Sequence, residues 1–291
     1  MRVTQGMMMQ SLLHNIETNQ ARVEQLQSQI TSGSRINKPS DDPIGAARAL
    51  NLQESLAQSE QYVRNIDQAT SWLNTTDSVL DSVTKALHRT TELATQAAND
   101  TMSSEDRAAI LQEVRQIQEH MLSLSRSKYG TTFLFAGTRS NATGYTAAAP
   151  SPGGYQGNNG QVLREVAPGV SMAVNADARA TFDPVFTALN NIESGLVAND
   201  AAALSGTLAD LDTALDAVNI SRAAIGAKTN RLELLKERQE DVKVNLTSLL
   251  SEVKDADMAE ALTNFSMAQT VYQASLKAGA QALQPSLLDY L

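Results

Sequence analysis

"LQESLAQSEQYVRNIDQATSWLNTTDSVLDSVTKALHRTTELA", residues 52–94, carries one periodic signal from end to end. Leu52, Ser59, Ile66, Leu73, Leu80, Leu87 and Ala94 recur every seven positions, and Leu56 and Val63 add the intermediate positions of a heptad. Residues seven apart lie on nearly the same side of an α-helix, so the series is a seam on which another helix packs. The spacing predicts one helix of about 50 residues, on the order of 75 Å long. Such a helix is longer than a compact domain is wide. The expected fold is therefore mainly α: a long antiparallel coiled-coil helical rod formed by the N- and C-terminal regions.

Seams of the same period lie on either side. Upstream, Met9, Ile16, Val23 and Ile30 are spaced by seven, with Leu12 and Leu26 between them and an interruption at Asn19, which predicts a helix over residues 3–31. Downstream, Ile110, Val114, Ile117, Met121 and Leu124 follow "TMSSED", where Ser103 and Asp106 have capping-box spacing. This third helix is expected to fold back on the second. Near the other end Leu211, Val218, Ile225, Leu232, Gln239, Leu246 and Val253 recur every seven, supported by Leu235, Val242 and Leu249.

Between residues 130 and 180 the texture changes to Gly, Pro, Asn, Thr and Ala, the residues of turns and short strands. Strands are expected at Phe133–Phe135, Val162–Val166 and Val170–Val174, with "GNNG" at 157–160 as a hairpin connection. Helical spacing resumes over 183–200 through Val185, Leu189, Ile192 and Leu196. The reading gives a small β-containing inserted domain, residues 130–200, within the rod. Its other segments are an N-terminal helix (1–32), a connector loop (33–43), the rod's two strips (44–129 and 201–255) and a C-terminal helix (256–291).

The connector, within "SGSRINKPSDDPIGAARAL" at 32–50, is written locally. Gly33 suits the position that ends a helix, Pro39 biases Lys38 away from helical backbone, and Asp42 before Pro43 suits an N-cap with a first-turn proline. The loop is longer than a helix hairpin requires. Its surplus length lets Arg35 and Asn37 bond Asp41, Asp42 or a neighbouring subunit.

Bulk composition narrows the function. Hydrophobic residues are 42% and charged residues 19% of the 291, ordinary values for a water-soluble protein, while aromatics at 4% suit narrow helix seams better than one thick core. The net charge of −9, with no run of Lys or Arg, argues against nucleic acid or an anionic membrane as partner. No cysteine is present, which excludes disulfides, thiolate metal sites and thiol nucleophiles. The N-terminus has no apolar core of signal-peptide length, so no cleaved signal and no membrane insertion are expected.

Candidates for chemistry fail on spacing. His14, His88 and His120 fall on three different predicted helices, without a ligand partner at i+4. "IGAKTNR" at 225–231 lacks the glycines of a phosphate loop, and "GGYQGNNG" lacks the helix start that a phosphate cradle needs. Asp41 and Asp42 are paired acids with no sign of an enclosing pocket. No catalytic, cofactor-binding or metal-binding residue is assigned, and no enzyme activity is expected.

The ends are unusual instead. Residues 3–16 carry no charged side chain apart from the titratable His14, and residues 261–288 carry only Lys277, although both keep helical apolar spacing. Pairing of the two ends within the chain accounts for one face of each. The scarcity of charge on the remaining faces points to cover by other subunits. Assembly is expected to use Met9, Leu12, Ile16, Val23, Leu26 and Ile30 with Phe265, Tyr272, Leu276 and Leu283.

"SGSRINKPSDDPIGAARA" after an apolar heptad helix, together with "DADMAEALTNFSMAQTVYQASLKAGAQALQPSLLDYL" at the C-terminus, resembles the two ends of the bacterial flagellin family. The resemblance covers about residues 1–130 and 200–291 and leaves 130–200 as the family's variable part. Within the family, "MRVTQGMM", the short insert and "SLLDYL" are more similar to members that join hook to filament than to filament flagellin. The resemblance implies a structural subunit of the flagellum, cytoplasmic until it is exported unfolded through the type III apparatus and extracellular thereafter. It also implies a ring of copies between a neighbouring hook-associated junction protein and flagellin. An export chaperone would cover Phe265, Tyr272, Leu276 and Leu283 beforehand. Filament flagellin and an unrelated secreted coiled-coil protein are the alternatives.

Overall fold

The computed structural model describes residues 5–139, 143–146 and 154–282. Among these, helices α1 (Gln5–Ser32), α2 (Pro43–Ala97), α3 (Ser104–Ser125), α4 (Ala178–Ala198), α5 (Ala201–Lys254) and α6 (Met258–Ala282) account for most of the chain. Four short strands, β1 (Lys128–Tyr129), β2 (Thr132–Phe133), β3 (Leu163–Ala167) and β4 (Val170–Ala173), form two antiparallel pairs, β1–β2 and β3–β4. The protein is mainly α. Two compact units divide it: Met1–Gln58 with Val242–Leu291, and Ser59–Asp241.

In the Ser59–Asp241 unit, α2, α3, α4 and α5 close into a four-helix bundle. Arg89 Nε donates to Glu113 at 2.7 Å and joins α2 to α3, while Arg115 and Glu193 at 2.9 Å join α3 to α4. Asn191 and Asp210, 2.8 Å apart, join α4 to α5. Arg222 on α5 reaches Asp77 at 2.9 Å and Asp81 at 3.1 Å on α2, and Lys236 reaches Asp67 at 2.8 Å, so α2 and α5 run antiparallel. The heptads are buried as their period requires: Ile66, Leu73, Leu80, Leu87 and Ala94 on α2 meet the core that also buries Leu211, Val218, Ile225 and Leu232 of α5. Fully burying one such side chain is worth about 1.5–3 kcal/mol. Polar Ser59 and Gln239, each a heptad residue, find one another: Ser59 Oγ lies 3.1 Å from Gln239 Oε1 and both are buried. A polar pair inside an apolar seam fixes register, because sliding by a turn would leave both groups unsatisfied.

Local chemistry sets the ends of these helices. Ser103 caps α3 by accepting from the amide of Asp106 at 3.1 Å. At the α4–α5 turn Asn199 takes up left-handed backbone (φ 51°), and Asp200 then accepts from the amides of Ala202 and Ala203 at 3.0 and 3.1 Å.

The segment between α3 and α4 departs from expectation in two places. The hairpin turn is not "GNNG" but Pro168–Gly169, between β3 and β4, where Gly169 has φ 69°. Asn158 is instead tied to another loop: its Oδ1 accepts from the amide of Thr138 at 2.8 Å and its Nδ2 donates to the Thr138 hydroxyl at 2.7 Å. The strand expected at Phe133–Phe135 ends at Phe133, because Leu134 and Phe135 turn into the core. Phe135, Tyr145, Tyr155, Val166 and Met172 belong to one hydrophobic cluster with α2, α4 and α5. Phe182 of α4 sits edge-on to Phe135 with ring centroids 4.8 Å apart. Among the described residues, the insert's buried apolar side chains are thus part of the bundle core.

Candidate assembly surface

The unit formed by the two chain ends is organised around the connector. Gly33 ends α1 in left-handed backbone (φ 68°), which no other residue type adopts as readily. Asp42 starts α2, accepting from the amide of Gly45 at 2.8 Å, with Pro43 as the first helical residue. Asp41 holds the turn between them through the amides of Asn37 and Lys38, at 3.2 and 2.9 Å. The Asn37 side chain donates to Ser28 Oγ at 3.1 Å. Arg35 lies 3.8 Å from Asp42, an exposed pair that contributes little.

Its stronger bonds lie elsewhere. Arg35 Nη2 donates to the carbonyl of Val253 at 2.9 Å, and its backbone amide donates to the carbonyl of Lys254 at 2.7 Å. Both acceptors are last-turn carbonyls of α5 that have no intrahelical partner, and a cation is favoured at that end of a helix. Gly33 accepts from the amide of Ala256 at 2.9 Å, and Ser34 bridges Asp255. Beneath the loop, Ile36 is buried with Ala49 and Val253. The connector therefore caps α5 at the α5–α6 turn. That role escaped the sequence reading, which offered no signal for it beyond an apolar Ile36 between polar neighbours, Arg35 and Asn37.

Helices α1 and α6 pack antiparallel. A Cβ on Gly279 would meet Leu12 at 2.9 Å and Ile16 at 3.4 Å, so the glycine permits close approach there. Asn19, the interruption in the α1 heptad, donates through Nδ2 to Ser275 Oγ at 2.8 Å. Leu12, Ile16, Val23, Leu26 and Ile30 on α1, with Phe265 and Tyr272 on α6, are half-buried along this seam, and Ala261 and Ala268 are buried. Two expected members stand off it. Met9 is partly exposed and Leu276 is 44% exposed, because Leu276 is turned towards the flank of α6 while Ser275 and Gly279 take the inner positions. Leu283 lies outside the described residues.

The outward faces carry a second apolar set. Met7, Met8 and Leu13 on α1 and Leu262, Met267 and Val271 on α6 are exposed, Met267 by 62%. An open groove of about 530 Å³ runs along Leu262, Thr263, Ser266, Met267 and Thr270. Over the described part of these helices the only charged residues at 5–16 and 261–282 are His14, when protonated, and Lys277. Over these stretches the exposed surface mixes apolar and small uncharged side chains, with Lys277 as its fixed charge.

His14, His88 and His120 are exposed on α1, α2 and α3. Among the described residues no group of three or more His, Cys, Asp or Glu is placed to hold a metal, and no helix is long and apolar enough to cross a membrane.

Two helical end regions that pair with each other around a capped connector make one unit and a four-helix bundle makes the other, the architecture of a helical structural subunit. Residues 3–140 match the bacterial flagellin N-terminal helical region and residues 208–291 the bacterial flagellin C-terminal helical region. The chain belongs to the bacterial flagellin family. It is 28% identical over 306 aligned positions to flagellar hook-associated protein 3 of Escherichia coli, with 96% of each chain covered. It is 27% identical to a flagellin of Halalkalibacterium halodurans, covering 93% of this chain and 91% of that one. Its fold is similar to a putative flagellar hook-associated protein from Vibrio parahaemolyticus, with a TM-score of 0.65, 21% identity and cover of 74% and 100%.

Proposed function

We propose that this chain is a non-enzymatic structural subunit of the flagellum, a junction adaptor that joins the hook-associated zone to the flagellin filament. The observation that carries the reading is its end-to-end similarity to hook-associated protein 3, combined with two paired end helices that expose Met7, Met8 and Leu13 on α1 and Leu262, Met267 and Val271 on α6 within charge-poor stretches. Copies meet through those faces in a ring, one side of the ring meets a hook-associated neighbour, and the other receives flagellin. Leu276 and Leu283, with Met9 and the outward methionines, belong to the intersubunit contacts. Leu12, Ile16, Val23, Leu26, Ile30, Phe265 and Tyr272 hold the pair of helices that presents them. Arg35, Asn37, Asp41 and Asp42 set the angle at which that pair leaves α2 and α5.

The subunit is made in the cytoplasm, kept from premature association by an export chaperone on the α6 face, and passed through the type III apparatus. Filament flagellin is the second reading, favoured by the similarity to the Halalkalibacterium protein. Deleting the gene separates the two. A strain lacking a junction adaptor keeps its hooks, bears no filaments and releases flagellin into the medium. Hooks with filaments attached would overturn the proposal, and filament loss without released flagellin would favour the second reading.

A further inference from the structure

Lys228 on α5 occupies a different setting from the other lysines described. Lys85 is paired with Asp81 and Lys236 with Asp67, each at 2.8 Å. Lys128 lies over the ring of Phe133. The Lys228 amine has one bond, to the backbone carbonyl of Asn175 at 2.9 Å, and it lines a cavity of about 210 Å³ between α5 and the start of α4. Polar amides surround that cavity: Asn158, Asn159, Gln161 and Asn175. Asn158 and Asn175 spend their amides on Thr138, Val162 and the carbonyl of Gly160, whereas Asn159 and Gln161 stand exposed at the rim with no side-chain bond among the described residues. Among the described residues Asp177 is the only other charged one lining the cavity, and its carboxylate is held by the amides of Arg179 and Ala180 at 3.0 and 3.2 Å.

We propose that Lys228 is an acylation site, at which its amine takes a short acyl group from a small acyl phosphate entering this cavity. The lone pair on Nζ attacks the acyl carbon, and a C–N amide bond forms as the C–O bond to phosphate breaks. Phosphate leaves with that electron pair, and the amine's surplus proton passes to solvent. Asn159 and Gln161 supply neutral N–H donors for the phosphate at the rim, and the Asp177 carboxylate that also lines the cavity is engaged by the amides of Arg179 and Ala180. Burial holds the Lys228 amine below the ordinary lysine range, which enlarges the neutral, nucleophilic fraction. The product keeps one N–H for the Asn175 carbonyl, so acylation removes the charge and leaves the tie between α5 and the α4 start in place.

Acetyl phosphate incubated with the full chain at about pH 8, where lysines of ordinary pKa are largely protonated, followed by peptide mass spectrometry, tests this. Acetylation at Lys228 should run severalfold faster than at Lys85 and Lys236, and the preference should vanish in urea. A rate at Lys228 equal to or below the others in the folded chain would overturn the proposal, as would a preference that survives unfolding. Gln161→Glu places a carboxylate at the rim and should slow Lys228 while sparing Lys85; an unchanged Lys228 rate would overturn the part given to the rim.

Discussion

Arg107 shows what a single side chain contributes to this fold. It is buried, and its guanidinium serves three acceptors at the junction of α2, α3 and α4: the carbonyls of Ala97 and Asn99, both at 3.0 Å, and Asn199 Oδ1 at 2.7 Å. The charge sits where the C-terminal carbonyls of α2 leave partial negative charge. Arg107→Ala should cost about 1–3 kcal/mol, read as a lower urea midpoint without loss of helical content. A second residue-scale effect depends on pH. Burial and the bond to Asp183 raise the Tyr145 hydroxyl above the ordinary tyrosine range, and burial pushes Tyr155 up to about 12. The stability from these hydroxyls is present in full below about pH 10, where the unfolded chain also keeps its protons. It is lost as pH rises from about 10 towards the folded values, because the unfolded chain then releases protons that the folded one retains. Urea midpoints should therefore fall steeply on the alkaline side, and Tyr155→Phe should make that limb shallower.

At the scale of elements, the helices were legible because period and caps agreed. Asp42–Pro43 marks the start of α2 and Ser103 that of α3, and the heptads give the faces. The strands were less legible. "GNNG" has hairpin chemistry, but its Asn158 amide is claimed by Thr138 some twenty residues earlier, a tertiary demand that no local pattern announces. The cap that Arg35 places on α5 was hidden for the same reason, since its acceptor is far along the chain. The interruptions at Asn19, Ser59 and Gln239 were visible as exceptions, but their partners were not. Packing also differs among the helices. Heptad residues of α2 and α5 in the bundle are buried, whereas those of α1 are only half-buried against α6. A helix with so little partner surface draws little stability from packing. Hydrogen exchange of the free monomer should therefore be fast over α1 and α6 and slow over residues 66–94, with protection of α1 and α6 appearing on assembly. Slow exchange over α1 and α6 in the monomer would show that their pairing suffices alone.

At the scale of the molecule, the segment between α3 and α4 is where reading and structure part most. A detachable insert would have its own core, yet Tyr145, Tyr155, Val166 and Met172 share one cluster with Phe182 and Phe186 of α4. Removing residues 140–178 with a short linker should expose both phenylalanines, lower the melting temperature of the bundle and increase binding of an apolar dye; an unchanged melt would restore the detachable reading. The unit made of both chain ends has a consequence in time. A chain is synthesised from its N-terminus, so α1 exists long before α6, and the bond from Asn19 to Ser275 spans 256 positions. Closing so long a loop from an unfolded chain is slow and entropically costly. Once Ser59 and Gln239 are held together, however, the residues between them no longer count towards that loop. The bundle thus acts as a folding template for the ends, and a chain cut short before α6 carries an α1 with nothing to close on. Pairing of the ends therefore waits on synthesis of α6, because α1 and α6 complete their shared seam only together.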